Sequence, residues 1–433
     1  MKVRADEGSA FAWVLALMAI LSVLVGTVMA VHVAQRRFVG RDVLRAQARY
    51  LAESCLHRAL ASLAVDPGWR ADSLAFDDDA HRGCRLFASL LGGYVQVRVA
   101  ARAGTARHHI DALVGFRPPD AFRFAILLGD PSSPLQLAGE TVVRGDIRVG
   151  VPGINLAVFE GRPFSGKVDG ETARMAAPVL PSLESGWAEI LRDSLRERIA
   201  SAARGRRLGS LGSEVLRFGA ADSAGFETPR TLIAAGDIRL SGSLRIASGT
   251  RLVAGGSIVV EDEVRGDGLL LYAVKGVRIK DRARLTAQVF AEEDIELSGR
   301  ATLAYPSLLY LYGRLAGRER SGELRLADRA MLDGIAILPP AAAGVDRGRI
   351  VVKSGATVRG LIWSANQTLI EGAVLGTVAT TRFYRYASPT DYVNWLIDAR
   401  IDVRARPDAF HLPIGFEHAS IPEVVTLRSR PFW

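Results

Sequence analysis

Lysine is nearly missing from this chain. Of its 55 basic residues only five are Lys, at positions 2, 167, 275, 280 and 353, so the formal charge of +9 rests on arginine. Such an excess invites a polyanionic partner, whether nucleic acid, anionic lipid or an envelope polymer. The arginines are spread along the chain, however, with no zinc-finger spacing and no RNP-like strand, which argues against nucleic acid. Cysteine is as scarce. Cys55 and Cys84 exclude a Cys-rich zinc site and a disulfide framework, leaving either one bridge in an oxidising compartment or two small half-buried thiols.

The usual signatures of chemistry are also missing. The seven histidines are scattered, and the one adjacent pair, His108-His109, would point to opposite faces of a strand, so it makes no ready metal site. Asp77-Asp78-Asp79 lacks the spacing and the Gly of a calcium loop. No H-E-x-x-H, nucleophile elbow or dinucleotide fingerprint occurs. "GRPFSGKV" (Gly161 to Val168) meets G-x-x-x-x-G-K but places Val168 where a P-loop needs a hydroxyl, and no apolar strand runs into it. Asp262, Asp281, Asp294 and Arg278 could be imagined on the groove of a β-helix polysaccharide enzyme, yet their spacing is also that of an ordinary polar outer face. The chain therefore offers no catalytic, cofactor-binding or metal residues, and it is read as a non-enzyme without cofactor or small-molecule substrate.

What is present is architecture. At 433 residues the chain is long enough for two or three folded units. From Gly8 to Gln35 there is no Asp, Glu, Lys or Arg, and about 24 apolar residues suffice to cross a bilayer core of about 30 Å as a helix. A cleaved signal peptide ending at Ala30 is the alternative, but the run exceeds the usual apolar core of a signal peptide. Helix-forming sequence continues beyond it. Leu44, Ala48, Leu51, Cys55 and Ala59 recur at intervals of three or four, the mark of an amphipathic helix with one packed face. Arg36, Arg37, Arg41, Arg45 and Arg49 follow the span, so the positive-inside rule would keep the body in the cytoplasm, although long domains can be exported against that bias.

"YVQVRVAARAG" and "RHHIDALVGF" alternate like paired strands, and "FRPPDAF" (Phe116 to Phe122) then marks a boundary. Between Ser185 and Arg204, Trp187, Leu191, Leu195 and Ile199, with Ile190 beside them, predict a helix laid on a larger surface, its Arg192, Arg196 and Arg198 side solvated. "ARGRRLGSLGS" reads as a linker. Further on, "GDIRL", "GSIVV", "GVRIK" and "EDIEL" place Ile238, Ile258, Val277 and Ile295 at steps of 20, 19 and 18 residues. That period belongs to a solenoid whose coils each carry two or three short strands and stack about 4.8 Å apart. A β-sandwich of similar strands is the alternative architecture.

Two resemblances sharpen this outline. "DEGSAFAWVLALMAILSVLVG" followed by "ARYLAESCLHRALASL" resembles the N-terminus of minor type IV pilin-like and pseudopilin proteins. The likeness implies cleavage after Gly8 with Ser9 as the new N-terminus, while Trp13 stands where major pilins carry Glu, as in tip-type minor pseudopilins. The repeat region resembles bactofilin-like, polymer-forming β-helices. With "PLQLAGETVVRGD", "YPSLLYLYG" and "SPTDYVNWLIDARID", it is also similar to membrane-anchored proteins of the Bacteroidetes type.

The expected fold is mainly β: a β-solenoid body with an N-terminal transmembrane helix continuing into an amphipathic helix and a small α+β pilin-like module. The expected divisions are a leader at 1–8, the span at 9–34, helix and sheet at 35–117, a β-rich connector at 118–230 with its helix at 185–204, solenoid repeats at 231–380 and a tail at 381–433. These imply a single-pass protein of the bacterial inner membrane, its body extracytoplasmic, with a structural or adhesive role and with lipid, itself or other pilus- or secretion-like components as partners. A cytoplasmic-face scaffold and a β-helix enzyme on envelope polysaccharide are the alternatives.

Overall fold

Helix α1 (Glu7–Val65) runs unbroken for 59 residues, about 90 Å. No proline interrupts it, and the polar side chains within its apolar half are satisfied locally: Ser22 donates to the Met18 carbonyl at 2.8 Å and Thr27 to that of Leu24 at 2.8 Å. The computed structural model describes residues 7–79, 82–205, 215–313, 322–340, 348–417 and 421–432. Residues 1–6 of the expected leader and 206–214 of the expected linker lie outside that set.

The second half of α1 lies on an antiparallel sheet of β1 (Ala71–Asp79), β2 (Arg82–Leu91), β3 (Tyr94–Ala103) and β4 (Ala106–Phe116), with the C-terminal strand Pro422–Phe432 added beside β4. Two-residue turns join β2 to β3 and β3 to β4, and Gly92 (φ +62°) and Gly104 (φ +57°) supply the left-handed backbone that such turns require. Alternation along β3 turns Val95, Val97, Val99 and Ala101 toward the helix and Gln96, Arg98 and Arg102 away from it.

The body is one parallel sheet wound into coils. Ile238, Ile258, Val277, Ile295, Leu324 and Ile350 pair in register from coil to coil and are buried, forming an internal aliphatic ladder. In-register parallel pairing of this kind excludes the β-sandwich. One coil comprises the strands Asp237–Leu240, Arg245–Ile246 and Arg251–Ala254. At one corner Gly242, Asp262, Asp281, Gly299, Asp328 and Gly355 all adopt positive φ, the conformation that Gly takes freely and Asp tolerates best among larger residues.

Coil order does not follow chain order. The stretch expected to be a connector at 118–230 contributes rungs: Ile126–Leu128 and Ile147–Gly150 pair in sequence with the long strand Ala373–Ala387, and Val142–Arg144 lies between Arg400–Asp402 and Lys167–Asp169. The expected tail at 381–433 likewise holds a rung at Arg400–Asp402 and the fifth strand of the antiparallel sheet. These rungs are three or four residues long. "LAGETVVRGDIRVG" already resembles one copy of the repeat, and local steps join Ile126 to Ile147 and Val142 to Lys167, but the pairings with Val378 and Arg400 lie more than 200 residues away and no local period reveals them. Helix α2 (Gly186–Gly205) makes the return. Trp187 stacks near Phe290 and Tyr310, Arg196 bonds Glu292, and beyond 214 the chain resumes at Val215–Phe218, next to Asp237–Leu240.

Two cores result. One fills the solenoid; the other lies outside a single solenoid face, where Tyr272, Phe290, Tyr310 and Trp363 are covered by α2, Phe122 and Phe416.

Candidate functional site: the long helix, its module and the seam with the solenoid

Along α1 the side chains from Phe11 to Val33 are exposed, and this stretch is long and apolar enough to cross a membrane. Gly8 and Ser9 lie in the first turns of the helix. From Ala48 onward one face turns inward: Ala48, Ala52, Cys55, Ala59 and Leu63 are each no more than 5% exposed. Small residues at every fourth position let the helix axis approach the sheet closely. Cys55 is joined to Cys84 of β2 by a disulfide, with Cα atoms 6.9 Å apart, closing the module at its centre. His108 and His109 lie on opposite faces of β4. His108 is buried toward α1, where burial and the nearby Arg49 hold its pKa below the ordinary histidine value, whereas His109 is exposed. β1 carries Asp77-Asp78-Asp79, whose side chains lie outside the described residues.

The module is fixed to the solenoid through a polar seam. Gln288 accepts from the Gly93 N–H at 2.7 Å and donates to the Leu91 carbonyl at 2.8 Å, gripping the β2–β3 turn at both ends. A side chain at Gly92 would collide with the Gln288 carboxamide, so a glycine here is also a matter of close approach. Nearby, the hydroxyl of Tyr305 meets His411 Nδ1 at 2.9 Å, His411 Nε2 meets Glu423 at 2.8 Å, and Arg117 Nε donates to Glu423 at 2.9 Å. Burial holds the Tyr305 hydroxyl well above the usual phenol range. This chain of four groups links a solenoid strand, the segment that precedes the C-terminal strand, the C-terminal strand itself and the residue that follows β4.

On the far side α2 is sealed by a buried acid. Glu292, 2% exposed, accepts from Tyr272 at 2.5 Å and from Arg196 Nε at 2.6 Å. Burial first, and then the Glu292 carboxylate, raise the Tyr272 pKa, while the bond to Glu292 raises that of Arg196. The expectation of a solvated arginine side holds for Arg198, which is exposed, and is corrected for Arg192, which is buried over the Tyr312 ring with Glu189 and Asp193 as partners; Arg196 is exposed but reaches the Glu292 carboxylate of the solenoid. Ile190, expected on the packed side, is 71% exposed. The reason is the apolar outer face: its tyrosines and Glu292 offer the helix polar partners that an aliphatic surface would not.

The remaining candidates serve the scaffold. Gly161 forms the turn between Val158–Phe159 and Arg162–Pro163, and Lys167 begins a strand, so no helix N-terminus stands where a phosphate loop needs one. Asp262 accepts from the Gly242 N–H at 2.8 Å and Asp294 from the Glu323 N–H at 2.9 Å, each stitching one coil to the next. Asp281 accepts more distantly from the Asp262 N–H at 3.3 Å, and Arg278 lies 3.9 Å from Glu296. Sequence reasoning missed Gln288, His411 and Glu292. A lone polar residue within an apolar run, as in "LTAQVFAEED", is the signal that could have found two of them.

These features define a class: a long apolar N-terminal helix seated on a small antiparallel sheet and rigidly joined to a parallel β-solenoid. No protein-family model matches the chain, and no curated protein matches it. Three solved chains match. One is the competence-associated pilin ComZ from Thermus thermophilus, 12% identical, with 90% of this chain and 98% of that chain covered and a TM-score of 0.21.

Proposed function

We propose that the protein is a membrane-anchored structural component of a bacterial cell envelope, with α1 as anchor and the solenoid as a rigid extracytoplasmic body. The observation that carries this reading is the division of α1. Its first part exposes an apolar surface from Phe11 to Val33, and its second buries Ala48 to Leu63 on a disulfide-closed sheet. An exposed apolar helix of that length needs lipid or a bundle of like helices to cover it. A disulfide between Cys55 and Cys84 suits an oxidising compartment. The resemblance of residues 8–63 to minor pilins and pseudopilins supports incorporation into a pilus- or secretion-like assembly, with processing between Gly8 and Ser9.

The rival reading, a cytoplasmic-face scaffold of the bactofilin type, draws on Arg36, Arg37, Arg41, Arg45 and Arg49 immediately after the span. In either reading the solenoid supplies shape and not catalysis. Alkaline extraction of membranes and mass spectrometry of the mature N-terminus test the proposal. Retention in the membrane with a chain beginning at Ser9 is expected; release of the protein, or a chain beginning at Val31, would overturn it.

A further inference from the structure

Some charged groups on the outside of the solenoid pair from coil to coil: Glu263 meets Arg282, Glu323 meets Arg349, Asp333 meets Arg359 and Lys353 meets Glu371. Other arginines stack without an acidic partner, and one such column borders a cleft. Arg245, Arg265 and Arg284 occupy the same register position on three successive coils, all exposed, and none of their side chains makes a hydrogen bond or ion pair among the described residues. Parallel strands set neighbouring backbones about 4.8 Å apart, so three like charges are stacked where directly opposed charges of one sign are unfavourable. The next column along the same face adds Arg282, Arg300 and Arg329, whose backbone N–H groups bond successive coils. Acids are close but engaged. Glu263 is taken by Arg282, and at the corner Asp262, Asp281 and Asp328 accept backbone N–H groups of adjacent coils.

On its other side the arginine column borders a cleft of about 330 Å³ between the solenoid and the outer face of the antiparallel sheet. Gln96, Asp111, Ser248, Asp267, Thr286 and Tyr305 contribute to its lining. Asp267 and Thr286 stand two residues beyond Arg265 and Arg284 on the same strands, so cleft and column form one surface. Gln96 bonds Asp111 at 3.0 Å and Thr286 bonds Asp267 at 3.4 Å, a set of exposed amide, hydroxyl and carboxylate groups suited to sugar hydroxyls.

We propose that this surface binds an anionic polysaccharide, with uronate carboxylates on Arg245, Arg265 and Arg284 and ring hydroxyls on the polar groups of the cleft. Asp111 and Asp267 keep the ligand's charge on the arginine column and leave the cleft to ring hydroxyls. The ring in the lining, Tyr305, is tied through its hydroxyl to His411 and offers no free stacking platform for bases. This goes beyond the anchoring role proposed above and does not depend on it, because binding is measured on purified protein whatever its native compartment.

The test uses the full chain in detergent micelles, titrated with a short oligogalacturonate, a neutral glucan of equal length and a single-stranded oligonucleotide of equal charge. Salt-sensitive binding of the oligogalacturonate is expected, at least about tenfold tighter than either competitor, since each lost set of charge-assisted bonds is worth that order. The triple variant Arg245→Gln/Arg265→Gln/Arg284→Gln should weaken it about tenfold or more at unchanged melting temperature. Asp111→Asn, which keeps one acceptor for the Gln96 amide but removes a charge, should leave it the same or tighter. Absent binding, equal binding of the oligonucleotide, or a triple variant that binds like the parent would each overturn the proposal.

Discussion

At the scale of single residues the fold depends on a few positions whose backbone is fixed in the left-handed region. Asp262 has φ +58° and its carboxylate accepts the Gly242 N–H at 2.8 Å. Asp262→Ala should therefore cost about 1–2 kcal/mol, whereas Asp262→Gly, which relieves the backbone but loses an exposed hydrogen bond, should cost only about 0.5 kcal/mol. Thermal unfolding of the two variants checks the order, and Ala as stable as Gly would contradict it. The sequence displays this corner openly, because Asp or Gly recurs there in "SGS", "EDE", "KDR" and "SGR". Gln288 is marked only as a lone polar residue in an apolar run. Its partners, the Leu91 carbonyl and the Gly93 N–H, are backbone groups and leave no trace in a sequence.

At the scale of elements, α1 and α2 are each held by one strong feature. The bridge between Cys55 and Cys84 closes a loop with a sequence separation of 29. Loop-closure entropy puts its contribution at about 3.5 kcal/mol, so Cys84→Ser should lower the melting temperature of the module and leave a free thiol titratable at Cys55. An unchanged melting profile would show that the sheet already holds the helix without it. For α2, Arg196→Ala leaves the Glu292 carboxylate buried with Tyr272 alone and should cost about 2 kcal/mol; on a Glu292→Gln background the same change should cost less than half as much. Equal losses in both backgrounds would mean that Arg196 acts through packing alone. Both helices are legible from their apolar spacing. The inward turn of Arg192 and Arg196 is not, since it depends on a surface built from residues 272 to 312.

At the scale of the whole molecule, the aliphatic ladder is readable because Ile238, Ile258, Val277 and Ile295 recur at nearly constant steps. The order of the coils is not readable. Among the described residues the stack has 167–175 at one end and 215–234 at the other, 373–402 joins the rungs of 126–150 to the later coils, and α2 carries the chain back, a topology set by pairings such as Val378 with Ile126 that no local pattern announces. The C-terminal strand beside β4 is hidden in the same way. Its pairing, from Phe116–Pro422 to Arg107–Phe432, makes the module a joint product of both chain ends. The proposed anchor sets the body on one side of a membrane, and that side is the central claim. The most direct measurement is a reporter fused after Trp433 that gains activity only in an oxidising, extracytoplasmic compartment. Activity in intact cells, with Cys55 and Cys84 recovered as a bridged peptide, is the result predicted. An inactive reporter and two free thiols would contradict the account and place the solenoid on the cytoplasmic face.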